Sequence, residues 1–219
     1  MNTVRLHPAR DDRADCYAFL GAQFSDCPEP AHLACMRSLA DGAGAAEPGT
    51  CDAVLTALLP ETDMALLSAR LQAEQARLFC GAGEGYTPPL PCESAWRNDR
   101  TKCTTIHAVA QAYAEAGYWP AHLAGPLDHL AEQLRFMAAL CQAETEALRL
   151  GNARDARVAR SRQRDFLDNH LLVWVPGYCR RLGIQTAEPF FRAVLSATAQ
   201  LIEAEMLYHM PVARRVGAR

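Results

Sequence analysis

The sequence predicts an all-α protein, a single globular helical domain of about eight to ten helices. Three observations lead there. No stretch of the 219 residues alternates β-branched and polar residues with period two, the mark of a half-buried strand. Ala, Leu, Arg, Glu and Gln dominate, and all favour helices. Apolar residues recur three and four apart between breaks rich in Gly and Pro, the spacing of a helix face. So many segments exceed a simple four-helix bundle and imply irregular crossings. No internal repeat of fixed period is present.

The first helix covers about Ala9 to Phe24, with Ala14, Tyr17, Ala18, Gly21 and Phe24 on its buried face. Asp11 and Asp12 suit its positive N-terminal end. Pro28 and Pro30 stop it and start a short helix carrying Leu33, Met36 and Leu39. The stretch Asp41 to Gly49 reads as a loop. A third helix, with Val54, Leu55, Leu58 and Leu59, ends at Pro60. Thr62 or Asp63 caps a fourth, about Met64 to Phe79, with Leu67, Leu71, Glu74 and Leu78 on one face. Glycines 81, 83 and 85 end it.

A proline-rich loop follows, and then a helix from about Arg100 to Ala116, with Ile106, Val109, Ala110 and Tyr113 buried. Gly117 is its C-cap. The next helix begins at Pro126, a favoured first-turn residue, and runs to about Leu150. Leu127, Leu130, Leu134, Met137, Leu140 and Cys141 form its stripe, and Gly151 and Asn152 break it. A helix of about Arg154 to Val175 is broken near Pro176, and a short one reaches Leu182. The last starts at Glu188 or Pro189 and runs to about Met210, through Phe191, Val194, Leu195, Thr198, Ile202 and Glu205. Residues 211–219 are a loose basic tail. The loop at about 80–99 is a hinge, dividing the domain into 1–85 and 86–210. It makes the expected state a monomer or a dimer swapped through the hinge.

Composition excludes several function classes. Hydrophobic residues make up 50% of the chain, enough for a substantial core, and a net charge of −3 does not point to disorder. Positive charge is almost all Arg, with Lys102 the only Lys, and is spread along the chain. There is no basic stripe for nucleic acid. No apolar run approaches the roughly 18 residues of a membrane span. The N-terminal MNTVRLHPARDDRADCYAFL carries charges where a signal peptide needs apolar residues, so a cytoplasmic protein is expected. The nine cysteines are odd in number, without a C-x-x-C pair or zinc spacing. They read as reduced thiols.

Catalytic patterns are missing. There is no HExxH, no di-iron set of Glu-x-x-His on two helices with further Glu residues, no G-x-S-x-G elbow and no P-loop. Ser94 has no local base, and Cys92 lacks the cationic neighbour that activates a thiolate. We therefore expect no metal, no cofactor and no enzyme activity. The contrasting class is a helical metal- or nucleotide-dependent hydrolase.

Two loops remain as binding candidates. Tyr86 to Trp96 (YTPPLPCESAW) holds Pro91, Glu93, Ser94 and Trp96. Gly117 to His129 (GYWPAHLAGPLDH) holds Tyr118, Trp119, Pro126, Asp128 and His129. A Trp at such a junction is a core plug or a ligand anchor. Asp128 and Glu132, four apart, share a helix face on this reading. They serve either the helix dipole or a guanidinium ligand. His129 could titrate near neutral pH.

At these residues the chain resembles a known family. Gly125-Pro126-Leu127-Asp128-His129-Leu130-Ala131-Glu132-Gln133-Leu134-x-Phe136-Met137 is similar to the E-x-P-D-H-x-x-x-E-L-x-F-M signature of the TorD/DmsD/NarJ redox-enzyme maturation chaperones. Pro91 to Trp96 (PCESAW) resembles the family's P-Y-E-S-V-[YW] loop, and Glu74 to Phe79 its E-Y-x-R-L-F. Phe166 to Pro176 resembles F-x-x-x-H-L-x-x-W-x-P. Two departures stand out: Cys92 replaces Tyr, and Leu127 separates Pro126 from Asp128. The resemblance implies an all-helical cytoplasmic chaperone that binds the twin-arginine leader or apo form of a molybdenum-cofactor oxidoreductase subunit. The NarJ-type variant would serve a nitrate-reductase-like, selenate, chlorate or ethylbenzene-type enzyme. Leader recognition would fall to Trp96, Asp128 and His129, supported by Ser94, Glu93 and Glu132, with Pro91, Trp119 and Pro126 beside them. Phe166, His170 and Trp174 would be core, His170 as a hydrogen-bonded interhelical histidine.

Overall fold

Several helices here begin where a side chain accepts loose N–H groups of the first turn, and some end where a glycine turns the chain. The computed structural model describes residues 12–42, 51–81, 88–97, 102–120 and 125–209. Among them are ten α-helices: α1 Asp12–Gln23, α2 Pro30–Gly42, α3 Asp52–Thr56, α4 Met64–Phe79, α5 Glu93–Trp96, α6 Lys102–Ala116, α7 Leu130–Arg149, α8 Ala153–Phe166, α9 Leu172–Gly183 and α10 Pro189–His209. A π-helical stretch, Leu167–Leu171, joins α8 to α9. No strand occurs among the described residues, only an isolated antiparallel bridge between Cys92 and His129. The fold is all-α, as the sequence predicts.

The caps follow local chemistry. Asp63 accepts from the Ala65 and Leu66 amides at 3.0 Å each and starts α4. Asn152 accepts from the Asp155 amide at 3.2 Å and starts α8. Gly117 and Gly151 close α6 and α7 at φ 69° and 71°, a conformation that costs other residues more.

Four readings are corrected. Helix α7 starts at Leu130, not Pro126, because His129 takes the N-cap position. Asp128 and Glu132 therefore do not share a helix face. Pro176 lies inside α9, and the irregularity falls at Leu167–Leu171 instead. Leu39, 60% exposed, and Ala18, also exposed, lie outside the core. The start of the first helix at Ala9, the loop 43–50, glycines 83 and 85, much of the hinge (82–87 and 98–101) and the tail lie outside the described residues.

The core runs along α7. Helix α1 lies against it at Gly21, where an added Cβ would sit 3.2 Å from the Ala131 carbonyl and 3.3 Å from the Leu134 Cβ. Helices α8 and α10 complete the central pack with α7 and α9, while α2 packs on α4 and α3 on α10. Tyr113, Phe136 and Phe166 form an aromatic cluster at centroid distances of 4.7 and 4.8 Å. Among the described residues no helix is long and apolar enough to cross a membrane. Nor is there a group of three or more potential metal ligands. All nine cysteines are free thiols.

One polar network penetrates this core. Buried Arg13 of α1 donates to Glu205 of α10 at 2.8 Å and to Gln163 of α8 at 2.7 Å. Gln163 donates to Glu144 of α7 at 3.0 Å, and Arg160 donates to the same carboxylate at 2.7 Å. Four helices are thereby locked through charges of which only Arg160, at the edge of the network, reaches water. Burial alone would raise the Glu205 pKa. Hydrogen bonds and charges from His209 and Arg13 outweigh it and hold Glu205 below the ordinary carboxylate value. A depressed carboxylate contributes stability above its ordinary pKa and loses it as pH falls.

Glu205→Gln should destabilise the protein by about 3–5 kcal/mol at pH 7, since it leaves Arg13 buried and under-neutralised. The difference from wild type should shrink as pH falls below 4.5. Urea unfolding at pH 7 and pH 4 measures both; an equal difference at the two pH values would refute the assignment.

Candidate functional site

The two candidate loops meet as an interlocked pair of helix starts. Pro91 is buried and its carbonyl accepts the Leu130 amide at 2.7 Å. The Asp128 carbonyl accepts the Glu93 amide at 3.1 Å. These two bonds form the Cys92–His129 bridge. Asp128 Oδ2 then accepts the Ser94 amide at 2.8 Å, the role of a helix cap supplied from another segment. His129 Nδ1 accepts the Ala131 amide at 3.2 Å and caps α7. Each loop thus satisfies N–H groups that the other helix leaves open.

Behind this clip sits Glu93, with no exposed surface. It accepts from Gln133 at 2.8 Å, from His170 Nδ1 at 3.0 Å and from Arg97 at 2.8 Å. Trp174 donates to the Gln133 carbonyl oxygen at 3.2 Å, which turns the amide nitrogen toward Glu93. His170, Phe166 and Trp174 are buried, His170 with an interhelical partner. Sequence reasoning did not single out Gln133 or Arg97. Their only local signal is placement, one in α7's first turn and one four residues after Glu93.

Trp96 is half-buried. Its ring meets Tyr178 edge-on at 5.9 Å, and the Arg181 guanidinium lies 5.9 Å from its centroid. It rests on Gly177, where an added Cβ would stand 3.1 Å from Trp96 Cζ2. Trp119 stands apart at 82% exposure.

A groove of about 260 Å³ opens beside the clip. Phe24, Phe79 and Leu127 supply apolar wall, and Pro126, His129, Glu132 and Arg135 also line it. Glu132 is buried and accepts the Tyr118 hydroxyl, with Arg135 at 3.5 Å. Arg135 also reaches Asp26 at 3.2 Å, tying α7 to the end of α1. The guanidinium partner of Glu132 is therefore the protein's own. Asp128 is fully buried, and its Oδ1 has no hydrogen-bond partner. So Pro91, Glu93, Ser94, Asp128 and His129 converge at the clip, while Pro126, His129 and Glu132 line the groove. Phe24 comes from a helix outside the motifs, while Phe79 ends the Glu74–Phe79 motif and Arg135 fills the unspecified position of the Gly125–Met137 motif, so nothing local marked any of the three as lining the groove.

Burial, then the positive charge of Arg135, hold the His129 pKa below 6.5. His129 is thus neutral at neutral pH, which suits a capping acceptor. The sign follows: the unfolded chain takes up a proton more readily, so stability falls as pH drops through 6.5. His129→Asn keeps a cap and should flatten this slope relative to wild type. His129→Ala should cost about 1 kcal/mol near pH 7.5. Thermal or urea unfolding across pH 5.5–7.5 decides; an unchanged slope in His129→Asn would remove His129 from the account.

Gly177→Ala should push the Trp96 indole outward. Net stability should stay within about 1 kcal/mol, because Ala favours a helix interior over Gly by that amount. Fluorotryptophan NMR should show the Trp96 resonance move while that of Trp119 stays. A stationary Trp96 signal would mean that the contact relaxes elsewhere.

The comparisons with known proteins agree with this architecture. The family profile described as nitrate reductase delta subunit matches residues 38–180. The chain is 42% identical over 77 residues to the selenate reductase assembly chaperone protein of Thauera selenatis, covering 35% of this chain and 38% of that protein. It is 47% identical over 124 residues to the chlorate reductase assembly chaperone protein of Ideonella dechloratans, covering 55% of this chain and 61% of that one. The chain thus matches less than two thirds of either relative's length. A crystal structure from Archaeoglobus fulgidus, described as that of a redox enzyme maturation protein, superposes with a TM-score of 0.51. It shares 18% identity and covers 87% of this chain and 93% of that chain, a likeness of fold. With the family profile matching well over half its length, the chain belongs to the nitrate reductase delta subunit family, the NarJ/TorD-like group that its motifs resemble.

Proposed function

We propose that this chain is a cytoplasmic, system-specific assembly chaperone that makes and breaks no covalent bond. Its client is the catalytic subunit of a molybdenum-cofactor oxidoreductase. It binds the leader or the apo form of that subunit and holds it until the cofactor is inserted. The observation that carries this reading is the likeness to the assembly chaperones of selenate and chlorate reductases. Those relatives favour a NarJ-type client of nitrate, selenate or chlorate reductase kind over other molybdenum enzymes.

The geometry supports a division of labour. Apolar side chains of the client enter the groove beside Pro126, His129 and Glu132. Trp96, half-exposed on its Gly177 seat, and Trp119 offer aromatic contacts at low entropic cost. Glu93, Ser94, Asp128 and Pro91 hold the loops in place. The chain works as one domain, with no cofactor of its own.

Calorimetric titration with the leader peptide of the oxidoreductase encoded beside this chain tests the reading. Micromolar or tighter binding, about −8 kcal/mol, is expected. Trp96→Ala should weaken it about tenfold, the loss typical of an interface anchor. If the leader does not bind, the apo subunit should still co-purify with the chain. Failure of both, together with bound metal or nucleotide turnover, would favour the hydrolase class instead.

A further inference from the structure

We propose that Cys16 and Cys51 are a modification site, a pair of thiols that a peroxide converts into a disulfide between α1 and the start of α3. The inference goes beyond the chaperone reading and does not depend on it. Cys16 lies within α1, and Cys51 is the residue on which α3 begins. Their side chains share a hydrogen bond, so the two sulfurs are in contact. Both thiols are partly exposed and both pack against the edge of the core, where a small oxidant can reach them. Cys92, Cys141 and Cys179, by contrast, are buried. Cys51 occupies the N-cap position of α3 yet makes no capping hydrogen bond. Ser, Thr, Asp or Asn would serve a cap better. Its side chain meets Cys16 instead, and turning it costs the helix no cap.

The hydrogen bond with Cys16, and then burial, hold the Cys51 thiol well above its ordinary pKa. Cys51 therefore keeps its proton at neutral pH, and its S–H supports negative charge on the neighbouring sulfur. The first attack falls to Cys16. Its sulfur breaks the O–O bond of the peroxide, becomes a sulfenic acid and releases water. The Cys51 sulfur then attacks that sulfur: the S–S bond forms, the S–O bond breaks and a second water leaves. The two thiols lose two electrons and two protons, and hydrogen peroxide takes both to become two waters. The sulfurs must close from contact to about 2.05 Å, a movement that side-chain rotation at the helix start can supply. Helix α1 packs on α7, and α3 packs on α10. The bond closes a loop of roughly 35 residues and fastens α3 to the central pack.

Hydrogen peroxide is the probe, added to the full chain in dilute solution. Remaining thiols are then blocked with N-ethylmaleimide, and the digested protein is read by mass spectrometry. A peptide linking Cys16 to Cys51, lighter by two hydrogens than its reduced halves, should appear and vanish with dithiothreitol. Thermal melting of the oxidised chain should rise by about 5–10 °C and return on reduction. Cys16→Ser and Cys51→Ser should each abolish both effects while leaving the melting of the reduced protein nearly unchanged. In Cys51→Ser, where serine keeps a donor beside Cys16, dimedone should trap a sulfenic acid on Cys16. Cys16 and Cys51 that stay open to N-ethylmaleimide while the exposed Cys27 and Cys80 are oxidised would overturn the pair. So would a link from either one to a different cysteine. A Cys16–Cys51 link without a rise in melting temperature would overturn its fastening role, and an unlabelled Cys16 in Cys51→Ser would overturn the peroxide route.

Discussion

The candidate site depends on one buried carboxylate. Glu93 has no exposed surface, and an ion so placed is tolerable only when donors surround it. Its three donors come from α5's own end, from the first turn of α7 and from the π-helical stretch. Satisfying Glu93 therefore fixes where the proline-rich loop lands, where α7 begins and how the α8–α9 rod lies against both. Asp128 completes the arrangement from the other side by capping α5. The Pro91–Leu130 and Glu93–Asp128 backbone bonds add direction and register, but only because the charged groups behind them are already placed.

The π-helical stretch belongs to the same constraint. Phe166, His170 and Trp174 are spaced by four, and all three are buried. In a regular helix of 3.6 residues per turn, side chains four apart drift by about 40° at each step. Two such steps would carry Trp174 away from the face that holds Phe166. The wider turns at Leu167–Leu171 take back that drift and keep all three on the inner side. The irregularity thus serves His170's reach to Glu93. Pro176 follows within α9, where it removes one backbone donor without ending the helix.

Much of the fold was legible because it rests on local chemistry. Asp63 before α4, Gly117 after α6 and Pro189 at the start of α10 act within one helical turn. What was not legible depends on contacts across the chain. Pro126 is a good first-turn residue by preference, yet α7 begins four residues later. The backbone bridge to Cys92 holds His129 extended and makes it the cap. That shift separates Asp128 from Glu132, which share a face only if both lie inside one helix. Nothing local tied Glu93 to His170, 77 residues away, or drew Phe24 and Phe79 to the groove beside His129. Arg13 was equally hidden, since a lone arginine on an apolar helix face reads as solvated until its partners on α8 and α10 are known.

The inward turn of these carboxylates bears on how a client would be held. Glu93, Asp128 and Glu132 are all buried and engaged with donors of the chain itself, so they position more than they attract. Affinity must then come mainly from apolar contact. At about 25 cal/mol per Å² removed from water, micromolar binding of roughly −8 kcal/mol needs some 320 Å² even before ordering costs are counted. A groove of about 260 Å³ admits only a few side chains of a client segment. The bound segment must therefore extend beyond it, across Trp96 or along other open faces of the helices. Contacts spread in this way are individually weak and come apart one at a time. That suits a protein whose task, on the chaperone reading, is to hold a subunit and then let it go.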